Sequence, residues 1–225
     1  MKHQFLLFLL FVSGLNAFAQ CSNFYYLQPD KTIEMSMTNA RGKSTGKIIY
    51  QTGNINSNGG TTSSTLKQEV FDEKGKLLQL AENKIKCNGG VMMMDIKSFM
   101  NNSQDKEQKI EIKGEDVYIE YPSALKEGAT LPDGKASFNS IRGAVITEME
   151  MNITDRKVVA KENIITAAGT WDCYKITYTI QIKTFVGSIA IPIKINATEW
   201  FAPGFGVVKT ASRFGETIIS SIKQS

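Results

Sequence analysis

The sequence predicts an all-β protein: a single antiparallel sheet, rolled into a barrel or a strongly curved half-barrel, with little helix. Three observations point there. Apolar and polar residues alternate with period two through much of the chain, short turn signals rich in Gly and Asp separate the alternating runs, and helical periodicity is almost absent. A sheet of so many strands must close or cover its edges to avoid pairing with other chains, which favours a wrapped form.

The first element is a secretory leader. Met1-Lys2-His3 supplies a basic start, residues 5–12 are an almost unbroken apolar run, and Ala17-Phe18-Ala19 places small residues where a signal peptidase reads. Residues 1–19 are therefore expected to be removed, leaving residues 20–225 as one β-rich domain outside the cytoplasm, in the periplasm or at the outer membrane. The apolar run is shorter than the roughly 20 residues a helix needs to span a bilayer, and no later segment is longer. Cys21 sits where a bacterial lipoprotein carries its acylated cysteine, but Gln20 occupies the preceding position, where a small residue is expected. Ordinary cleavage before Gln20 is the preferred reading and acylation of Cys21 the alternative.

The strands follow in order. Asp72-Glu73-Lys74-Gly75 separates residues 65–71 from 76–87, and Lys113-Gly114-Glu115-Asp116 separates runs around Ile110 and Ile119, so each pair is expected to be antiparallel neighbours. Residues 92–100 read either as one helical turn or as the buried end of a strand through Val91-Met92-Met93-Met94. In residues 145–153, Val145, Thr147, Met149, Met151 and Ile153 share one face, predicted buried, and Glu148, Glu150 and Asn152 the other, predicted wet. Tyr174, Ile176, Tyr178, Ile180 and Ile182 alternate with polar residues, as do Ile189, Ile191, Ile193 and Ile195 with Ala190, Pro192, Lys194 and Asn196. These two runs predict a hairpin through Val186-Gly187-Ser188. Pro192 cannot donate to a ladder, so its strand lies at an edge or carries a bulge there.

Charge names no partner. The 26 basic and 22 acidic residues become 25 and 22 once Lys2 leaves with the leader, and the lysines are scattered without a basic stripe or interleaved aromatics. That pattern argues against nucleic-acid binding. Three cysteines, Cys21, Cys87 and Cys173, enter an oxidising compartment, where any one of three single disulfides can form and one thiol is left over.

Catalytic chemistry is sparse. The one histidine, His3, leaves with the leader, which removes Ser-His-Asp and Cys-His nucleophilic pairs, histidine bases and histidine zinc ligands. No metal-ligand spacing, phosphate-binding glycine loop or cofactor motif is present, so neither metal nor cofactor is expected. Glu148 and Glu150 share a strand face about 7 Å apart, and read as a solvated surface. Glu199 with Trp200 and Phe201 is the one group that invites a ligand, because aromatics beside a carboxylate can bind a sugar or raise its pKa; packing of the two rings in the core is the plainer reading.

Three stretches look less generic: residues 121–134, opening Tyr121-Pro122-Ser123; residues 168–176, with Gly169-Thr170-Trp171-Asp172-Cys173; and residues 199–209, with Trp200-Phe201-Ala202-Pro203-Gly204-Phe205-Gly206. Together they resemble the domain of unknown function 3108-like family of secreted Bacteroides-type envelope proteins. The resemblance implies a barrel-like envelope domain and transfers no catalytic residue. Two functions are then weighed: a non-enzymatic module that binds an apolar small molecule or an envelope protein, and a carboxylate-based glycan hydrolase. The first leads, because a curved sheet offers a cavity whereas no specific acid pair supports the second. A structural module with a filled interior is the simplest alternative.

Overall fold

The computed structural model describes Cys21 and residues 24–99 and 108–224; the leader and its cleavage point, and the end of the 92–100 segment, lie outside them. A 3₁₀ turn over Tyr25–Leu27 leads into β1 (Lys31–Asn39), β2 (Ser44–Asn58), β3 (Thr61–Asp72), β4 (Leu77–Asn88) and β5 (Val91–Asp95). A second 3₁₀ turn over Ile96–Phe99 follows, then β6 (Gln108–Ile112), β7 (Tyr118–Tyr121), β8 (Gly134–Arg142) and β9 (Val145–Thr166). β10 (Gly169–Val186), β11 (Ile189–Ala202), β12 (Gly206–Ser212) and β13 (Gly215–Gln224) complete the chain. All belong to one antiparallel sheet in the order β6-β8-β9-β10-β11-β12-β13-β1-β2-β3-β4-β5-β7, curled into a nearly closed barrel.

Alternation builds the wall. Ala136 and Phe138 on β8, Leu66 and Val70 on β3, and Met151 and Ile153 on β9 are buried, while their sequence neighbours are more exposed. Each large side chain so buried contributes roughly 1.5–3 kcal/mol. Strand direction alternates, so the turns at residues 40–43, 73–76, 143–144, 187–188 and 213–214 share one end of the barrel, the rim. The turns at 59–60, 89–90, 167–168 and 203–205 share the other, the base. Tyr26 closes the base: its ring meets Tyr50 and Phe205 edge-on, at 6.2 and 5.5 Å between centroids. The Cys21–Cys87 disulfide pins this plug to β4.

Of the three disulfides open to the sequence, the structure therefore holds Cys21–Cys87 and leaves Cys173 as a buried thiol. The disulfide occupies the sulfur that acylation of Cys21 would use. Burial, with the charges of Asp172 and Glu162, pushes the Cys173 thiol up to about 12, which favours the protonated thiol at neutral pH.

The 187–188 hairpin forms as expected, with Val186 opposite Ile189, and Gly187 supplies the positive φ of 60° its turn requires. The turn at 73–76 also forms, Asp72 Oδ1 accepting from the Lys74 and Lys76 amides. Residues 91–99 satisfy both readings, as a strand that ends in a 3₁₀ turn. Pro192 lies at a local edge, because the β11–β12 ladder begins only at Ala197.

Two expectations need correction. The runs around Ile110 and Ile119 are not neighbours: β6 pairs with β8 and β7 with β5, so they are the opposite edges of the sheet. The Lys113 amide donates to Ser137 O instead of to β7, and Val117 O accepts from the Ile96 amide, so the turn carries the chain across the seam. Gly134 makes that seam tight, since a Cβ there would lie 2.2 Å from Ile119 Cδ1. The second correction concerns Val145, Ile189, Ile191 and Ile193, which are exposed. They do alternate along strands, but those strands outrun the barrel, so the inward face has nothing to pack against at that height.

Candidate functional site

Inside the barrel lies a cavity of about 450 Å³. Met35, Met37, Ile48, Val70, Met94, Ile180, Ile182 and Ile195 supply its apolar wall, and Thr38, Thr45, Ser212 and Phe214 stand around the rim end. The size falls within the range of small-molecule pockets, roughly 300–1,000 Å³. Period two aims Tyr178, Ile180 and Ile182 of β10 inward, and direct pairing of Ile182 with Ile193 and of Ile180 with Ile195 puts β11 isoleucines on the same face.

Deep in the cavity is a buried polar cluster. The Tyr121 hydroxyl on β7 donates to Glu199 Oε2 on β11 at 3.1 Å, and Arg156 Nη2 on β9 stands 3.8 Å from Glu199 Oε1. That separation is longer than a hydrogen bond, and both atoms are buried without one. Arg156 Nη1 donates to Pro132 O at 2.8 Å and Glu120 O at 3.0 Å, so one guanidinium ties β9 to both sides of the seam. Tyr121 stacks on Phe201 at 4.7 Å and carries the guanidinium 5.0 Å from its ring centroid.

Burial pushes the Glu199 carboxyl up from 4.5 to about 7, and the Arg156 charge and the Tyr121 and Tyr178 hydroxyls hold it from rising further. Burial and the Glu199 charge likewise raise Tyr121 and Tyr178 well above the usual phenol value. Glu199 thus switches between a carboxylate paired with Arg156 and a neutral acid close to neutral pH.

Glu199, Trp200 and Phe201 do not form one cluster. Trp200 points to the outer face, where Lys175 and Lys209 lie 5.3 and 4.8 Å from its ring centroid and Glu162 accepts its indole N–H. Phe201 packs in the core against Tyr121, and of the three only Glu199 reaches the cavity wall. The other acid at that wall, Glu216, is held by Lys209 at 3.1 Å. Glu148 is exposed and paired with Lys113, and no group of three or more metal-ligating side chains occurs among the described residues.

Sequence reasoning missed Arg156. Thr154-Asp155-Arg156-Lys157 reads as a wet polar run, but the β9–β10 register slips between Thr177 and Thr179, and Asp155 adopts φ 57°. This bulge inverts the alternation so that Arg156 and Val158 face inward after Met151 and Ile153. An Asp, tolerant of the left-handed region, within a long strand is the signal that could have located it.

Solved structures share this architecture. A provisionally assigned exported protein with a YmcC-like fold from Bacteroides fragilis superposes with a TM-score of 0.72 at 19% identity, over 87% of this chain and 96% of that one. A provisionally assigned lipoprotein from Parabacteroides distasonis gives 0.73 at 19% identity, over 89% and 98%. At that identity the likeness is one of fold. No curated protein sequence matches the chain. The DUF3108-like family model matches residues 30–214, which takes in every strand from β1 to β12 and the Arg156–Glu199 cluster, and the chain belongs to that family.

Proposed function

We propose that this protein is an exported, non-enzymatic binding protein whose barrel interior takes one apolar or amphipathic molecule. The observation that carries the reading is the cavity of about 450 Å³, walled by methionine and isoleucine and reaching from the rim to Glu199. Burying an apolar chain there releases roughly 25 cal/mol for each Å² removed from water. The Glu199, Tyr121 and Tyr178 oxygens give the deep end a polar seat for a head group. Export is supported by the leader, by the disulfide, and by the exported and lipoprotein descriptions of the two neighbours. Because the Cys21 sulfur is bonded to Cys87, the form proposed is disulfide-bonded and not acylated.

A glycan-hydrolase role lacks its parts: Trp200 faces away from Glu199, and Glu216 is engaged by Lys209. The test is native mass spectrometry of the protein from its host's envelope fraction, before and after denaturation. A lipid-sized mass that leaves on denaturation is expected. A bare polypeptide mass, together with equal binding of an apolar fluorescent probe by wild type and the cavity-filling Ala197→Phe variant, would overturn the assignment.

A further inference from the structure

β11 is paired on both sides only from Ala197 onward; from Ile189 to Asn196 one edge has no ladder partner among the described residues. With β6 and the upper ends of β8, β9 and β10 it forms an arm that rises about 27 Å above Ser212, where β12 ends, given the strand rise over residues 197 to 189. The turns at residues 143–144 and 187–188 end it.

The ends of the two hairpins carry no charge of their own, and the charged residues paired beside them on the described strands, Arg142 opposite Val145 and Lys109 opposite Ile141, are basic. Residues 143–147 and 184–193 contain no Asp, Glu, Lys or Arg. Val145 is 64% exposed, Ile146 62%, Val186 59% and Ile189 66%. Consecutive strand residues point to opposite faces, so the joint exposure of Val145 and Ile146 makes the tip apolar on both sides. A partner laid on one face would leave the other apolar face in water, whereas immersion covers both. Below the tip stands a basic collar: Lys183 pairs with Pro192, Lys194 with Gln181, and Lys135 with Asn152 on the same row as Gln181. Over the described residues of the arm, Lys109, Lys113, Lys135, Arg142, Lys183 and Lys194 outnumber the acids Glu111, Glu148 and Glu150, and Glu148 is taken by Lys113, so the arm is net positive.

We infer that this arm docks the protein on an anionic lipid surface, its apolar hairpin ends entering the interface and its basic side chains meeting the lipid phosphates. From Pro192 to Ile189 the strand advances about 10 Å, the depth to which interfacial segments bury, roughly 5–10 Å. Lysine stems at the collar, and the Arg142 stem beside Val145, lie along apolar surface with their heads reaching the phosphates. The arm's inner face runs down through Ile193, Ile195 and Ile182 to the cavity, so docking would bring the cavity mouth towards the bilayer. The inference stands whether or not the cavity holds a ligand.

The test is flotation of the folded chain with vesicles of phosphatidylcholine alone or with added phosphatidylglycerol. Binding is expected to the phosphatidylglycerol vesicles, weakening with salt. Lys183→Glu or Lys194→Glu should each lower it about fivefold or more, since one basic side chain at an anionic surface contributes about 1 kcal/mol. Ile189→Glu with Ile191→Glu should abolish it. Ile165→Glu, at the base and 81% exposed, should leave it unchanged. Unfolding midpoints close to wild type establish that the variants fold. Absence of flotation, equal loss in Ile165→Glu, or full binding by the double isoleucine variant would overturn the inference. So would a self-association that the isoleucine variant removes in a chain that ignores vesicles, because the arm would then be an interface between copies.

Discussion

Replacing Glu199 by glutamine isolates one proton. In the folded protein the carboxyl titrates at about 7, against 4.5 when unperturbed, so between those values the folded state holds a proton that the unfolded chain has released. Stability then decreases as pH rises: the contribution is fully present below pH 4.5 and is lost as pH climbs through 7. The shift corresponds to about 3 kcal/mol in all at 1.36 kcal/mol per unit, of which ~2.5 kcal/mol falls between pH 5 and 8. The amide of the Glu199→Gln variant has no proton to lose. Urea unfolding of both proteins at the two pH values, with slopes compared to confirm two-state behaviour, gives a double difference from which the other carboxylates cancel. Wild type should lose ~2.5 kcal/mol more than the variant on going from pH 5 to pH 8. An equal loss in both, or a greater loss in the variant, would show that Glu199 is ionised throughout and that the Arg156 charge outweighs burial.

Two further outcomes follow from the base of the barrel. Reducing the Cys21–Cys87 disulfide, which closes a loop with a sequence separation of 66 residues, should destabilise the chain by about 4 kcal/mol on the chain-entropy account, read from unfolding midpoints with and without reductant. Gly206→Ala should cost about 2 kcal/mol or more, because Gly206 sits at φ 134° and a Cβ there would lie 2.8 Å from the Tyr26 ring; thermal unfolding measures it, and an unchanged midpoint would mean that the Tyr26 plug yields freely.

Much of the fold was legible because a strand's burial pattern is local. The alternation through residues 174–182 and the turns at 73–76 and 187–188 needed only near neighbours, and they formed as expected. What failed required knowledge of distance. Residues 113–116 look like any tight turn, and only the competing partners Ser137 and Ile96 make them a bridge across the seam. Ile189, Ile191 and Ile193 are as apolar as any core strand, and nothing local announces that β12 stops at Ser212 beside them. The candidate site was legible at Glu199 alone. Its partner Arg156 lies 43 positions earlier, on a strand whose bulge reverses the parity that alternation assumes.

The sheet order also bears on how the molecule is made. Every ladder joins strands close in sequence except one, β1 with β13, which sets Lys31 opposite Gln224. β1 through β5 with β7, and β6 with β8 through β13, are each meanders that can zip from local hairpins, at little cost in loop closure. The β1–β13 ladder alone has to wait for the far end of the chain. During synthesis, one edge of β1 therefore stays open until the last strand arrives, and Lys31 and Glu34, one on each face, are the charges that the strand carries in the interval.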